Sequence, residues 1–448
     1  MEHDVVILGA GAAGLSAAAE LARAGRKVLI VEARGRLGGR IFTQHDPVCH
    51  AAVELGAEFI HGRPAEIWDL VRQHRLPVNK VEGDNWCFQD GELCPCDFFQ
   101  EVEGLLEKMD DHRPDESFET FLERCCPRAG NDARMERTKS WARGYITGFN
   151  AADARLISVQ ALVKERRAEE EIDGDEAFRI ASGYQALIAA LEGELRSAQV
   201  RVELSTVAER VRWRRGQVEV AARNRNREVA FSAPSVILTL PLSVLQARVG
   251  ETGAVEFLPS LPGRKQDALR KLVMGKVMRV VLRFRQRFWD ELRPRHPGPV
   301  KTLSTLGFLF SQEDCFPTWW TTMPEKLPLI TGWAPSHHAE QLSGRDQDFV
   351  TEKALETLGR ILKVSLQKLT QLLDAAYFHD WQSDPFSRGA YSYVGVGGEG
   401  AQEELAAAVE GTLFFAGEAC DFSGHHATVH GAIASGRRAA KEVLQPGA

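Results

Sequence analysis

Val5-Val6-Ile7-Leu8 is an unbroken apolar run, the pattern of a strand buried on both faces. Leu15 to Ala24 carries apolar positions at helical spacing, Gly25 stops it, and Val28-Leu29-Ile30-Val31 is a second buried strand. This is one βαβ unit, and its right-handed crossover predicts a parallel sheet. From Pro64 to Ala177 the pattern is mostly helical and irregular, with a dense charge run at Lys164–Glu176 that reads as a solvated helix face. Val200 to Val220 alternates like a hairpin, with Arg201-Val202-Glu203-Leu204 in its first arm. Ser235 to Leu240 is a buried strand closed by Pro241, Val277 to Phe284 is a longer strand, and Thr351 to Leu373 is an amphipathic helix. The end returns to the opening pattern: Leu413-Phe414-Phe415-Ala416 is an apolar strand, Gly417 turns it, and Gly431 to Val443 is a small-residue helix. The two ends therefore read as parts of one nucleotide-binding domain, with a second domain inserted between them.

Composition narrows the classes. The chain has 448 residues, enough for two or three domains, and a formal net charge of −7, which argues against a basic nucleic-acid binder. No window approaches 18 uncharged apolar residues, so no membrane span is expected. Met1-Glu2-His3-Asp4 lacks the basic start of a signal peptide, and Leu444 to Ala448 carries no anchor motif. A cytoplasmic location is the expectation. The eight cysteines are then expected to be reduced thiols; Cys94/Cys96 and Cys125/Cys126 lack zinc-site spacing, and no metal is expected.

The most specific motif is Gly9-Ala10-Gly11-Ala12-Ala13-Gly14, a G-x-G-x-x-G turn that follows a strand, opens a helix and meets Glu32 at the end of the next strand. Gly9 permits the tight turn, Gly11 lets backbone approach a pyrophosphate, and Gly14 lets helix and strand pack closely. The helix N-terminus offers free N–H groups to phosphate, and Glu32 can accept from ribose hydroxyls. Arg34-Gly35-Arg36-Leu37-Gly38-Gly39-Arg40 follows at once. A second glycine pair with arginines suits an extended flavin dinucleotide: Gly38 and Gly39 allow backbone approach, and Arg40 can pair with pyrophosphate.

These residues, with three further blocks, make the chain similar to the flavin-containing amine oxidases: monoamine oxidases, polyamine oxidases and lysine-specific histone demethylases. The further blocks are Glu54 to Gly62, Trp381 to Tyr393, and Phe415 to Glu418 with Ala427 to Ala432. The resemblance implies a GR2-type flavoprotein of α/β class. A Rossmann-like FAD-binding domain would be built from residues 1–63, 181–243 and 377–448, interleaved with an α+β substrate-binding domain from 64–180 and 244–376. It implies non-covalent FAD held by Gly9, Gly11, Ala13, Gly14, Glu32, Ala33, Arg34, Gly38, Gly39, Arg40, Gly56, Ala57, Glu58, Phe59, Val207, Trp381, Gly417, Glu418, Thr428, Val429 and Ala432. It further implies hydride transfer from the carbon next to an amine nitrogen, imine hydrolysis, and electrons passed to oxygen to give hydrogen peroxide.

Tyr391 matches one aromatic wall of the amine pocket, and an aromatic face suits an amine or ammonium. The chain departs from the family in three places. Thr428 stands at the second wall. Alignment of Val280-Val281-Leu282 places Arg279 where the family carries a flavin-adjacent lysine, with Lys276 on the opposite face of a regular strand. Ala390 stands where monoamine oxidases carry the cysteine that binds flavin covalently, hence the non-covalent expectation. His61 reads equally as a neutral acceptor facing a substrate nitrogen or as a histidine capping a turn. The candidate catalytic set is Tyr391, Arg279, His61 and Thr428. The expected partners are a small-molecule amine substrate and molecular oxygen, and the protein is expected to be a monomer or homodimer. Because arginine replaces the lysine, dehydrogenase behaviour stays open, as do an L-amino-acid oxidase-like enzyme and a non-catalytic flavoprotein.

Overall fold

The computed structural model describes residues 2–96, 98–125, 133–195, 199–294, 301–312 and 315–445. Cys126 and the last three residues lie outside them. In chain order the elements that build the site are β1 (Val5–Leu8), α1 (Ala12–Arg23), β2 (Val28–Val31), α2 (Ala133–Asn150), α3 (Val159–Glu170), β3 (Ala177–Ile180), β4 (Val200–Glu203), β5 (Ser235–Leu238), β6 (Val277–Phe284), β7 (Leu413–Phe415) and α4 (Val429–Leu444).

The first sheet has the order β4-β2-β1-β5-β7, and every pairing in it is parallel. Its central strands are fully buried and, apart from Ser235, apolar, as their runs require. α1 and α4 pack together over one face. Gly436 makes this close approach possible: a Cβ there would lie 2.2 Å from the Ala13 carbonyl oxygen. The Ser16 hydroxyl ties the same helices by donating to the Ile433 carbonyl at 3.2 Å. Residues from the two ends of the chain thus share one core, with Leu15, Ile237, Phe414 and Ile433 among its members.

A seven-stranded sheet, which contains β6, forms the second core around Trp289, Phe316 and Trp319. Strands Asp84–Gln89 and Glu92–Pro95 belong to it, so the stretch from Pro64 to Ala177 is less purely helical than its pattern suggests. Among the described residues no helix is long and apolar enough to cross a membrane.

Four sequence expectations are corrected. Val200–Glu203 is not a hairpin arm but the parallel edge strand β4, and its apolar–polar alternation in sequence is not an alternation of burial, since Val202 is exposed and Glu203 half-buried. The hairpin itself is Thr206–Arg214 with Gln217–Asn224. The single helix expected over Thr351–Leu373 is two, Gln347–Leu362 and Leu366–Leu372, because Lys363 takes a left-handed conformation and Ser365 caps the second. The expected reduced thiols include one disulfide, Cys87–Cys96, whose partners are brought to a Cα separation of 5.1 Å by an antiparallel strand pair. The charge run at Lys164–Glu176 is not wholly solvated, since Glu165 is buried.

The helix contact at Gly436 is directly testable. Gly436→Val is expected to destabilise the protein by about 2 kcal/mol or more through overpacking, read as a lowered thermal midpoint. An unchanged midpoint contradicts the close approach of the two helices.

Candidate active site

One cavity of about 1410 Å³ runs from the glycine turn at the end of β1 to the aromatic residues of the second domain. At its nucleotide end the backbone is shaped by glycine. Gly9 has φ +109°, which a side chain disfavours, and a Cβ on Gly14 would lie 2.0 Å from the Gly9 carbonyl oxygen. Gly11 is different: a Cβ there meets nothing within 4 Å, so its Cα faces open space beside an α1 N-terminus that no side chain caps. That is a cradle for phosphate. Gly14 packs beneath it, whereas Gly9, Gly11, Ala13, Glu32, Ala33, Arg34, Gly38, Gly39 and Arg40 line the cavity. Glu32 is held by N–H groups of Ala10 at 2.7 Å and Arg34 at 2.8 Å, which fixes its carboxylate at the tip of β2. Val207 lines the cavity from the neighbouring hairpin.

Two of the predicted arginines have other partners. Arg34 donates to Asp384 at 2.7 Å and Ser387 at 2.9 Å, so it latches this loop to the Trp381 block. Arg40 donates to the Ala390 carbonyl at 2.7 Å and to Glu418 at 2.9 Å. Burial pushes the Glu418 carboxyl up, but Arg40 and Ser392 more than offset it and hold it below its ordinary value. Glu418 also accepts from the Ser392 hydroxyl at 2.6 Å and the Ala427 N–H at 3.2 Å. Gly417 has φ +130°, and a Cβ there meets nothing within 4 Å. Trp381 donates to the Leu55 carbonyl at 2.7 Å.

Farther along, Gly56, Ala57, Glu58 and Phe59 form one wall, and Thr428, Val429 and Ala432 another. Arg279, on β6, enters this wall: it donates to the Gly56 carbonyl at 2.7 Å and pairs with Glu58. Lys276 lies outside β6 and outside the cavity, paired with Glu340 at 2.7 Å. His61, Tyr391 and Thr428 also line the cavity. Burial lowers His61 to about 4, so it is neutral at ordinary pH. The Tyr391 hydroxyl donates to the Phe149 carbonyl at 2.7 Å, and Phe149 meets the His61 ring at 5.4 Å. The Thr428 hydroxyl is committed to the α4 cap, accepting from Gly431 N–H at 3.0 Å and donating to the His425 carbonyl at 2.6 Å. No cysteine among the described residues lines the cavity.

One wall comes from the charge run, whose acidic residues from Glu169 on could attract a polyamine but read more simply as a solvated helix face. Glu165 and Glu169 lie one turn apart on α3 and both line the cavity. Glu165 accepts from the Asn150 amide at 2.9 Å, and burial together with Glu169 raises its carboxyl well above the usual range. Glu169 is pushed up to about 7, by burial first, then Glu103, against Arg166. Their spacing inside the charge run was the available signal. The run's many exposed neighbours hid it. Tyr145 completes the wall by stacking on Phe149 at 5.8 Å.

The parallel sheet, glycine cradle and second-domain cavity define a dinucleotide-dependent oxidoreductase. The flavin containing amine oxidoreductase family matches residues 12–444, and the chain belongs to that family. The family is flavin-containing, and the cradle at Gly11 and the open face at Gly417 fit a flavin dinucleotide. Among curated proteins, the chain is 29% identical over 466 residues to lysine-specific histone demethylase 1 homolog 2 of Arabidopsis thaliana, covering 99% of this chain and 58% of that one. It is 26% identical over 467 residues to polyamine oxidase 5 of Oryza sativa subsp. japonica, covering 98% and 87%. The chain spans only a little over half the length of the demethylase-like relatives it matches. Among solved structures, wild-type putrescine oxidase bound to putrescine superposes with a TM-score of 0.80 at 20% identity, covering 99% of each chain. That likeness concerns the fold.

Gly11 gives a clean test of the cradle. Gly11→Val fills space that only the cofactor uses, so the thermal midpoint of the apoprotein should be unchanged while FAD is lost. Retention of FAD by the variant contradicts this placement of the phosphates.

Proposed function

We propose that this chain is an amine oxidase using non-covalent FAD, and that its substrate is a small amine carrying a second cationic nitrogen. The observation that carries this reading is one cavity lined both by the glycine cradle and by Tyr391, His61, Glu165 and Glu169. FAD when bound supplies the two-electron acceptor that takes a hydride equivalent from the carbon next to the amine nitrogen. Water then hydrolyses the released imine to an aldehyde or ketone, and oxygen is the final acceptor, giving hydrogen peroxide. The absence of cavity cysteines among the described residues supports a cofactor that denaturant releases.

The protein's own residues divide the work. A reacting nitrogen must be uncharged, because a protonated one has no lone pair to assist hydride departure. Neutral His61 carries no charge to hold an ammonium at its position, whereas it can meet the free amine, and the Tyr391 ring faces the same cavity. His61 can accept an N–H from that amine and so orient it. Thr428, its hydroxyl spent on the helix cap, shapes the opposite side without an aromatic ring. Glu165 and Glu169 offer a buried negative charge to a second, protonated nitrogen. Putrescine and polyamines, named for two of the relatives, are amines of this kind.

Anaerobic mixing is the direct experiment. A diamine or polyamine should bleach the visible flavin band, and admitting air should restore it with peroxide release. Bleaching without peroxide identifies a dehydrogenase, and no bleaching by any amine overturns the reading. Glu169 adds a pH signature. Its charge is present above about pH 7 and lost as pH falls through that value. The diamine KM should therefore rise on going from pH 8 to pH 6 by roughly tenfold. Glu169→Gln should have the raised KM at both pH values, with little change for a monoamine. Equal behaviour of diamine and monoamine in this variant contradicts the assignment of Glu169.

A further inference from the structure

Beside the Gly56–Phe59 wall, one carboxylate sits between two guanidiniums. Glu58 pairs with Arg279 through one oxygen and with Arg179 through the other, at 2.5 Å to Arg179. The Trp320 indole N–H adds a third donor to Glu58 at 3.0 Å. All three charged side chains are largely buried. Burial lowers both arginines, but only to about 10, so both remain charged at neutral pH.

The two arginines are used differently. Arg179 spends every arm on protein: its Nε on Glu58, and its other nitrogens on the Met323 carbonyl at 3.0 Å and the Thr321 carbonyl at 3.1 Å. It is not part of the cavity lining. Arg279 lines the cavity, and its buried Nε has no hydrogen-bond partner among the described residues. Two further carboxyls act on the cluster: the exposed Glu325 on Arg179, and Glu54 on both arginines, Glu54 being held by the Tyr184 N–H at 2.6 Å and the Thr43 hydroxyl at 2.7 Å. Burial pushes Glu54 up to about 7, so at neutral pH it is protonated in a large share of molecules.

We propose that Arg279, Glu58 and Arg179 form a charge-setting cluster. It presents a net positive charge to FAD at the ring end of the cavity, and Glu58 sets how large that charge is. This rests on the reading that FAD fills the cavity from the Gly11 cradle to the Gly56 segment. Reduction adds negative charge to the cofactor. A fixed positive charge in a site shielded from water favours that state far more than one in solvent does. Arg279 reaches the cofactor through two features: its own charge, and its grip on the Gly56 carbonyl. Arg179 acts at a distance by competing for Glu58. The three are therefore positioning and electrostatic residues, and their signature is a reduction potential.

The test is the midpoint potential of the holoprotein, measured by equilibration with a reference dye, for wild type, Glu58→Gln, Arg279→Gln and the double variant. Glu58→Gln should shift the potential upward, Arg279→Gln should shift it downward, and the double variant should return toward wild type. Arg179→Gln, which leaves the cavity lining intact, should also shift it downward and carries the test if Glu58→Gln does not fold. Variants that hold FAD with unchanged potentials overturn the proposal and leave the functional reading standing. Wild-type protein that holds no FAD overturns both.

Discussion

A carboxylate with almost no solvent contact stays ionised only if the protein replaces the water it has lost, and Glu418 meets that condition through Arg40. The pair joins the loop after β2 to the turn after β7, which lie 378 positions apart in sequence. Arg40 also holds the Ala390 carbonyl, and Glu418 also holds Ser392 and Ala427. One ion pair therefore fixes the loop beyond the glycine turn, the Tyr391 strand entry and the approach to α4. Breaking such a pair by removing one partner typically costs about 3–5 kcal/mol, because the survivor is left buried and uncompensated. The shape of the cavity follows from this closure of the two chain ends on each other.

Within that frame the chemistry is divided by polarity. The nucleotide end consists of backbone, glycine and a helix N-terminus, which suit phosphate. The far end consists of neutral rings on one wall and two carboxyls on another, which suit an amine of mixed protonation. Between them lies the Arg279–Glu58 contact, where the cavity wall is charged and one carboxylate is shared by two arginines. No group in this arrangement needs to act as a strong base. The selection is made by which protonation state each wall can tolerate.

Much of this was legible in the sequence. The β1–α1–β2 unit and the return of the same pattern at Leu413 showed a shared domain, because strands buried on both faces leave unbroken apolar runs. The glycine turns stood out because glycine positions carry a physical requirement that survives without coordinates. Arg279 followed from aligning Val280-Val281-Leu282 with the family, and Lys276 lies before β6 and not on its opposite face. What could not be read depended on tertiary context. Val200–Glu203 alternates in sequence, yet it pairs in parallel at a sheet edge and not in a hairpin. Lys363 breaks a helix through a left-handed residue that propensity does not mark. Cys87 and Cys96 meet because two short strands pair. Glu165 and Glu169 were hidden in a run of exposed charge, and Arg179 gave no signal, because its partner Glu58 is 121 positions away.

The central claim is that the two ends of the chain enclose one tightly held, unlinked FAD. The most direct measurement is the flavin content of purified protein before and after precipitation by denaturing acid. The account predicts close to one FAD per chain, all of it in the supernatant. Colourless protein that takes up no FAD on incubation, or flavin that stays with the precipitated polypeptide, would contradict it.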